Sequence, residues 1–163
     1  MAADYEVVMR AIAVSGNGQA VIGEAEGLWR RGFEGDEPIY DGPSYELTRS
    51  SQHAWVWTQE TRTIEIADRT RFEDIGVRDI THDASAVLGS GYSEDAGVQL
   101  FLWYRDDNQF VMIDDLFTKL GIVINADWYS FYRISGDGSK LLGTFRLDGQ
   151  FSAIIVTIPV RKP

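Results

Sequence analysis

Short apolar runs, each bounded by a polar turn, recur along the whole chain. Upstream strands are predicted at 7–14, 77–80 and 131–134, and each is followed across a turn by a second run at 20–23, 86–89 and 140–143. A third set, at 53–57, 100–104 and 153–156, is apolar on both alternating faces. Strands covered on both sides of a sheet read that way, and half-exposed strands do not. Fourth strands are predicted at 63–66 and 110–113, whereas the third unit reaches Pro159 without such a run. One further segment changes period. Apolar residues at 113, 116, 117 and 120 have helical spacing and Gly121 is a natural stop, so one short helix is expected near 114–121.

The turns between the first and second runs repeat a nine-residue phrase. It begins at Ser15, Thr81 and Ser135 and ends at Gly23, Gly89 and Gly143. In each copy a hydroxyl residue is followed two positions later by Asn17, Asp83 or Asp137, and then by Gly18, Ala84 or Gly138. Asn17-Gly18 and Asp137-Gly138 are two-residue hairpin signals of type I′, in which both central residues need positive φ. Asp83-Ala84 departs from that pairing, so the middle turn is expected to differ in type or carry strain. Repetition of strand, turn, strand and strand at this length is the pattern of propeller blades.

The fold expected is therefore all-β: three four-stranded antiparallel blades, a partial or half propeller, with one short helix. Residues 1–163 form a single repeat domain, with unit one at about 7–67, unit two at 77–114 and unit three at 131–159. An insertion at 24–52 lengthens the first unit. Four to eight blades normally close a ring, so three need a neighbour. That neighbour is a second copy of the chain, the remainder of a longer one, or none if the sheets pack without a ring. The segment 5–8 is a candidate for the strand missing from unit three, closing the structure or crossing to a partner.

Composition narrows the partners. The chain of 163 residues suits one domain with a sizeable core, and its net charge of −10 repels phosphate backbones and anionic lipid. Nucleic acid is thus excluded as a partner class, and no stretch approaches the ~18 apolar residues of a membrane span. Cysteine is absent, which removes disulfides and thiolate metal sites. The start, Met1-Ala-Ala-Asp-Tyr-Glu, lacks the basic and apolar regions of a signal peptide.

These motifs resemble the HAF-repeat family of bacterial extracellular and autotransporter-like proteins. Ala11 to Gly23 fits the first half of its repeating pattern, with Asn17 in place of Asp. His53-Ala54-Trp55-Val56-Trp57 fits the family signature with Trp for Phe, and Gly121 to Trp128, Ser135 to Gly138 and Ala153 to Pro159 follow the order of its terminal unit. The middle copy lacks the Asp-Gly turn, and the last has Ala-Ile without tryptophan. The resemblance spans about residues 8–159. It implies a propeller-like architecture and an extracellular or cell-surface location, with a cytoplasmic one as the alternative, and it implies no established activity.

Candidate chemistry is sparse. The turn residues Ser15, Asn17, Gly18, Gly23, Thr81, Asp83, Gly89, Ser135, Asp137, Gly138 and Gly143 read as scaffold, because Asn and Asp bond their own backbone and one carboxylate per turn cannot hold calcium. Gly16-Asn17-Gly18 lacks the third glycine and the helix of a dinucleotide loop. His53 and His82 have no companion ligands for zinc, so no metal and no cofactor is expected. Acidic pairs at Glu24/Glu26, Glu34/Asp36/Glu37, Glu94/Asp95, Asp106/Asp107 and Asp114/Asp115 would serve a glycosidase only if two faced each other across a cleft. The binding candidate is the first insertion, where Trp29, Arg30, Arg31 and Phe33, then Tyr40 and Tyr45, gather aromatic and cationic groups in an acidic chain. The expected function is a non-catalytic binding or adhesion module presenting loops to a glycan or a protein. A glycan hydrolase using paired carboxylates and a purely structural or oligomerisation unit are the alternatives.

Overall fold

The structure, a computed structural model, describes residues 5–29 and 52–161, and only the backbone of 5–8 and 26–29. Three antiparallel sheets follow one another along the chain. The first contains β1 (Tyr5–Val14), β2 (Ala20–Trp29), β3 (Gln52–Thr58) and β4 (Arg62–Ile66), and the second β5 (Asp74–Ile80), β6 (Ala86–Ser93), β7 (Gly97–Tyr104) and β8 (Gln109–Met112). Helix α1 (Ile113–Leu120) leads to the third sheet, β9 (Trp128–Ile134), β10 (Lys140–Leu147) and β11 (Gln150–Thr157). In every sheet the strands lie side by side in chain order.

Two expectations need correction. The third sheet has three strands rather than four, because after β11 the chain bonds back through Ile158 N–H to the Ser139 carbonyl and meets Pro159, which has no N–H to offer a ladder. Residues 5–8 do not complete it. They form the start of β1 and pair with β2, Tyr5 opposite Trp29 and Val8 opposite Glu26. The helix is where its spacing put it: Gly121 caps it at φ 67°, and the Ile122 N–H reaches the Phe117 carbonyl.

The middle sheet explains why its runs are apolar on both faces. Val87, Phe101 and Trp103 pack with Ile22, Val56 and Ile66 of the first sheet. The alternate residues Leu88 and Leu102 pack on the other side with Phe131, Leu141 and Val156 of the third sheet and Phe117 of α1. Two cores therefore share one sheet, and every second residue of β6 and β7 serves a different one.

The repeat glycine has a specific cause. In each sheet the pairing of the first two strands slips by one residue, leaving Ile12, Arg78 and Tyr132 as bulges, each three positions before its turn. The glycine stands beside the bulge, with Ala11 opposite Gly23, Val77 opposite Gly89 and Phe131 opposite Gly143. A Cβ there would collide with the bulged strand's carbonyl: Arg10 at Gly23, Gly76 at Gly89, Ser130 at Gly143. At Gly23 and Gly89 it would also strike the ring of Trp55 or Phe101 on the third strand. Close backbone approach, not left-handed geometry, requires this glycine.

Polar groups join the sheets at defined points. The Glu24 carboxylate, buried between the first two sheets, accepts the Val77 N–H at 3.1 Å and the Arg10 guanidinium at 2.7 Å. Asp79 accepts the Ile134 N–H at 2.9 Å, and the bulged Arg78 donates to Ser130 Oγ and the Phe131 carbonyl. Along one end, Asn17 N–H bonds the His82 carbonyl and His82 N–H bonds the Gly136 carbonyl, linking all three turns.

Replacing Gly143 by Ala is expected to destabilise by about 3 kcal/mol through overpacking, against about 1 kcal/mol for Gly97→Ala, where φ is +68° but space is open. Urea unfolding midpoints compare them directly. Glu24→Ala orphans a buried N–H and should cost about 1–3 kcal/mol, whereas Glu24→Gln keeps the acceptor and should cost less. The ion pair adds little, since the Arg10 side chain is largely solvent-exposed.

Candidate functional site

The three turns share one construction. Ser15 N–H bonds the Ala20 carbonyl and Gly18 N–H the Ser15 carbonyl, and the same pair of bonds recurs from Thr81 and from Ser135. The Asn or Asp accepts the backbone N–H two residues on: Asn17 from Gln19, Asp83 from Ser85, Asp137 from Ser139, each at 3.0 Å. It also accepts the hydroxyl of Ser15, Thr81 or Ser135. Only the next residue has positive φ: Gly18 at 71°, Ala84 at 61° and Gly138 at 74°. These are four-residue loops, not two-residue type I′ hairpins, because the Asn or Asp uses its side chain as an acceptor while the following residue takes the left-handed position. The middle turn keeps this geometry, at the cost of left-handed strain on Ala84 of about 1 kcal/mol. A true type I′ pair lies elsewhere, at Asp148 (φ 50°) and Gly149 (φ 77°), between Leu147 and Gln150.

Beside two of these turns, between the second and third sheets, a cleft of about 480 Å³ opens. Thr81, Asp83 and Ser85 form one wall and Asp137 and Gly138 another. Tyr104, Asp106 and Asp107 enter from the β7–β8 hairpin, and Val160 and Arg161 from the segment after β11. The Arg161 guanidinium stacks over the Tyr104 ring, 4.7 Å from its centre, and bonds Asp107 at 2.5 Å and Gln109 at 3.2 Å. That clasp ties the end of the third unit to the second. Burial, foremost, raises the Tyr104 phenol above its ordinary pKa, so it stays a neutral donor.

Among the described residues, the cleft holds four carboxylates against one guanidinium. Hydrogen bonds from Ser135 and Ser139 hold Asp137 down to about 2. Partial burial raises Asp83, but the bonds from Ser85 and Thr81 outweigh it and leave the group below its ordinary value. Neither can protonate a leaving group near neutral pH. The arrangement offers acceptors to hydroxyl, ammonium or guanidinium donors beside an aromatic edge, and it repels anions.

The sequence-nominated binding residues lie elsewhere. Trp29 ends β2 opposite Tyr5, at the end of the sheet remote from the turns and the cleft. Arg30, Arg31, Phe33, Tyr40 and Tyr45 fall outside the described residues. Of the acidic pairs, Asp106/Asp107 lines the cleft, Glu24 is enclosed between sheets, and Asp114 accepts the Tyr129 phenol. His53 sits with Nδ1 3.0 Å from the Glu65 carboxylate. Among the described residues, no cluster of three or more His, Asp or Glu is arranged to hold a metal, and no helix is long and apolar enough to cross a membrane. Strand pattern hides Tyr104, and Arg161 carries no local signal because its partner Asp107 lies 54 residues away.

No family model matches the chain, and no curated protein matches it. Among solved structures it is similar to TolB from Acinetobacter baumannii, a β-propeller, with TM-score 0.51 and 12% identity over 89% of this chain and 29% of that one. It also aligns with a putative 6-phosphogluconolactonase from Bacteroides uniformis, at 11% identity over 93% of this chain and 56% of that one, with a TM-score of 0.27. At 12% identity the TolB likeness speaks for fold alone, and the fold it indicates is propeller-like.

The depressed Asp137 carboxyl has a pH consequence. A group whose folded pKa lies below its ordinary 3.8 contributes stability that is complete above that value and lost as pH falls towards about 2. The Asp137→Asn protein, which retains an acceptor as Asn17 does, should show a flatter decline in unfolding midpoint between about pH 4 and 2. Urea titrations across that window would reveal it.

Proposed function

We propose that this chain is a non-catalytic binding module built on a partial propeller, of the bacterial secreted or surface type that the HAF-repeat resemblance implies. Its ligand is a glycan or a protein segment rich in hydroxyl or cationic groups. The observation that carries this reading is the acidic cleft between the second and third sheets, where Tyr104 and four carboxylates meet. Loops on a rigid scaffold are where binding residues collect.

The hydrolase alternative needs a carboxylic acid and a carboxylate facing each other across the scissile bond. Asp83 and Asp137 are held ionised by their own turns, which argues against either as the acid. The purely structural alternative draws support from the same turns, which are fully engaged in scaffold bonds. It gives the exposed Asp106 no role beyond its 3.8 Å ion pair with Arg105.

Titration calorimetry against neutral oligosaccharides, anionic oligosaccharides and basic peptides tests the reading. Binding of a neutral or basic probe without turnover is expected, weakened about tenfold by Asp106→Asn, the loss of one charge-assisted hydrogen bond. Turnover of a polysaccharide that one Asp or Glu substitution abolishes would overturn it. So would binding confined to anionic probes.

A further inference from the structure

Among the described residues, the stack of sheets ends in two open faces, and the repeat shows what each is shaped to meet. Leu142 and Ile155 form a cross-strand pair on the outer face of the third sheet, 43% and 66% exposed. The corresponding pairs, Ile22 with Val56 and Leu88 with Leu102, are wholly buried because the next sheet covers them. At the other end, Met9 and Val14 on the outer face of the first sheet are each 59% exposed. Their counterparts six and one residues before the second turn, Ile75 and Ile80, are buried against the preceding sheet. One open face thus repeats the donor side of an interface the chain makes twice, and the other repeats the acceptor side.

We propose that the outer face of the third sheet receives the first sheet of a second copy, so that two copies joined head to tail close one ring. A second copy is the occupant because it supplies both missing sides at once, in a register the chain already uses. Two such contacts close a ring of three plus three sheets, within the four to eight that propellers use. The turn chain continues with the same logic: the bond from His82 N–H to the Gly136 carbonyl has its next equivalent from Gly136 to Gly16 of the other copy. Repulsion between two bodies of charge −10 opposes association, but it is screened beyond roughly 8 Å at physiological salt, while face-to-face apolar burial is not. The proposal is independent of what the cleft binds.

Sedimentation equilibrium of the full chain at physiological salt tests it. The expected mass is twice the 18.3 kDa of one chain. Ile155→Glu and Val14→Glu, each at an exposed position, should weaken association about a hundredfold or more by placing an unpaired charge in the contact. Val98→Glu, exposed on the second sheet, should leave the mass unchanged. Unaltered circular dichroism and melting would establish that each variant folds. Mixing the two interface variants should restore a weaker dimer through the one intact contact, detected by energy transfer between labelled chains. A wild-type chain that stays at 18.3 kDa to its solubility limit would overturn the proposal, pointing to further propeller units as the natural cover. A dimer broken by Ile155→Glu but not by Val14→Glu would overturn it in favour of a symmetric contact, and an open-ended polymer would overturn closure.

Discussion

A carbonyl oxygen pressed against a glycine sets the geometry of all three sheets. Five residues before each turn, the carbonyl of Arg10, Gly76 or Ser130 occupies the space a Cβ would need on Gly23, Gly89 or Gly143. Because the strands approach that closely, the intervening residue is squeezed out as a bulge, and bulges bend and twist the strand that carries them. The bulged side chain is re-aimed. In the second sheet it is Arg78, which reaches Ser130 and the Phe131 carbonyl of the next sheet. In the third it is Tyr132, whose phenol meets Thr144 on the open face. One steric contact, repeated, turns a set of hairpins into sheets that can stack.

Much of this was legible in the chain because it depends on local rules. Strands covered on both faces leave apolar residues at odd and even positions alike, and Val87-Leu88 with Phe101-Leu102-Trp103 show the alternation serving two cores. The helix was legible from Phe117 and Gly121, since a 3.6-residue period and a left-handed cap are short-range signals. The missing fourth strand was visible as an absence of pattern before Pro159, while the partner of residues 5–8 was not, because pairing is a tertiary choice. Turn type departs from the type I′ expectation for a physical reason. Asn-Gly and Asp-Gly suit type I′, but Ser15 and Ser135 offer hydroxyls that recruit Asn17 and Asp137 as acceptors, and Gly18 and Gly138 alone turn left-handed.

The cleft was the least legible part. Asp83 and Asp137 stood out in sequence as members of the turn phrase, and their hydrogen bonds agree with that role. What brings them to a cleft with Tyr104 is the bond between His82 and Gly136, which draws two turns together from 54 residues apart. Arg161 reaches the same place only because the chain leaves β11 towards the second sheet. No periodicity carries information of that kind, since each contact joins residues whose separation is set by the lengths of whole units.

The repeats share their apolar positions and differ in their polar ones, and that difference gives each junction its own identity. The residue after the repeat glycine is Glu24, Ser90 or Thr144, and the residue two before the turn is Ala13, Asp79 or Arg133. The first junction therefore closes through Glu24 on the Val77 N–H, and the second sheet carries Ser90 at the position of Glu24. The second closes through Asp79 on the Ile134 N–H together with Arg78 on Ser130 and Phe131. Exchanging the partners would bury Glu24 or Arg78 without its counterpart, a cost well above the net worth of either contact when correctly paired. Apolar repetition gives the sheets alike stacking faces, and these few buried and half-buried polar groups distinguish one junction from the other.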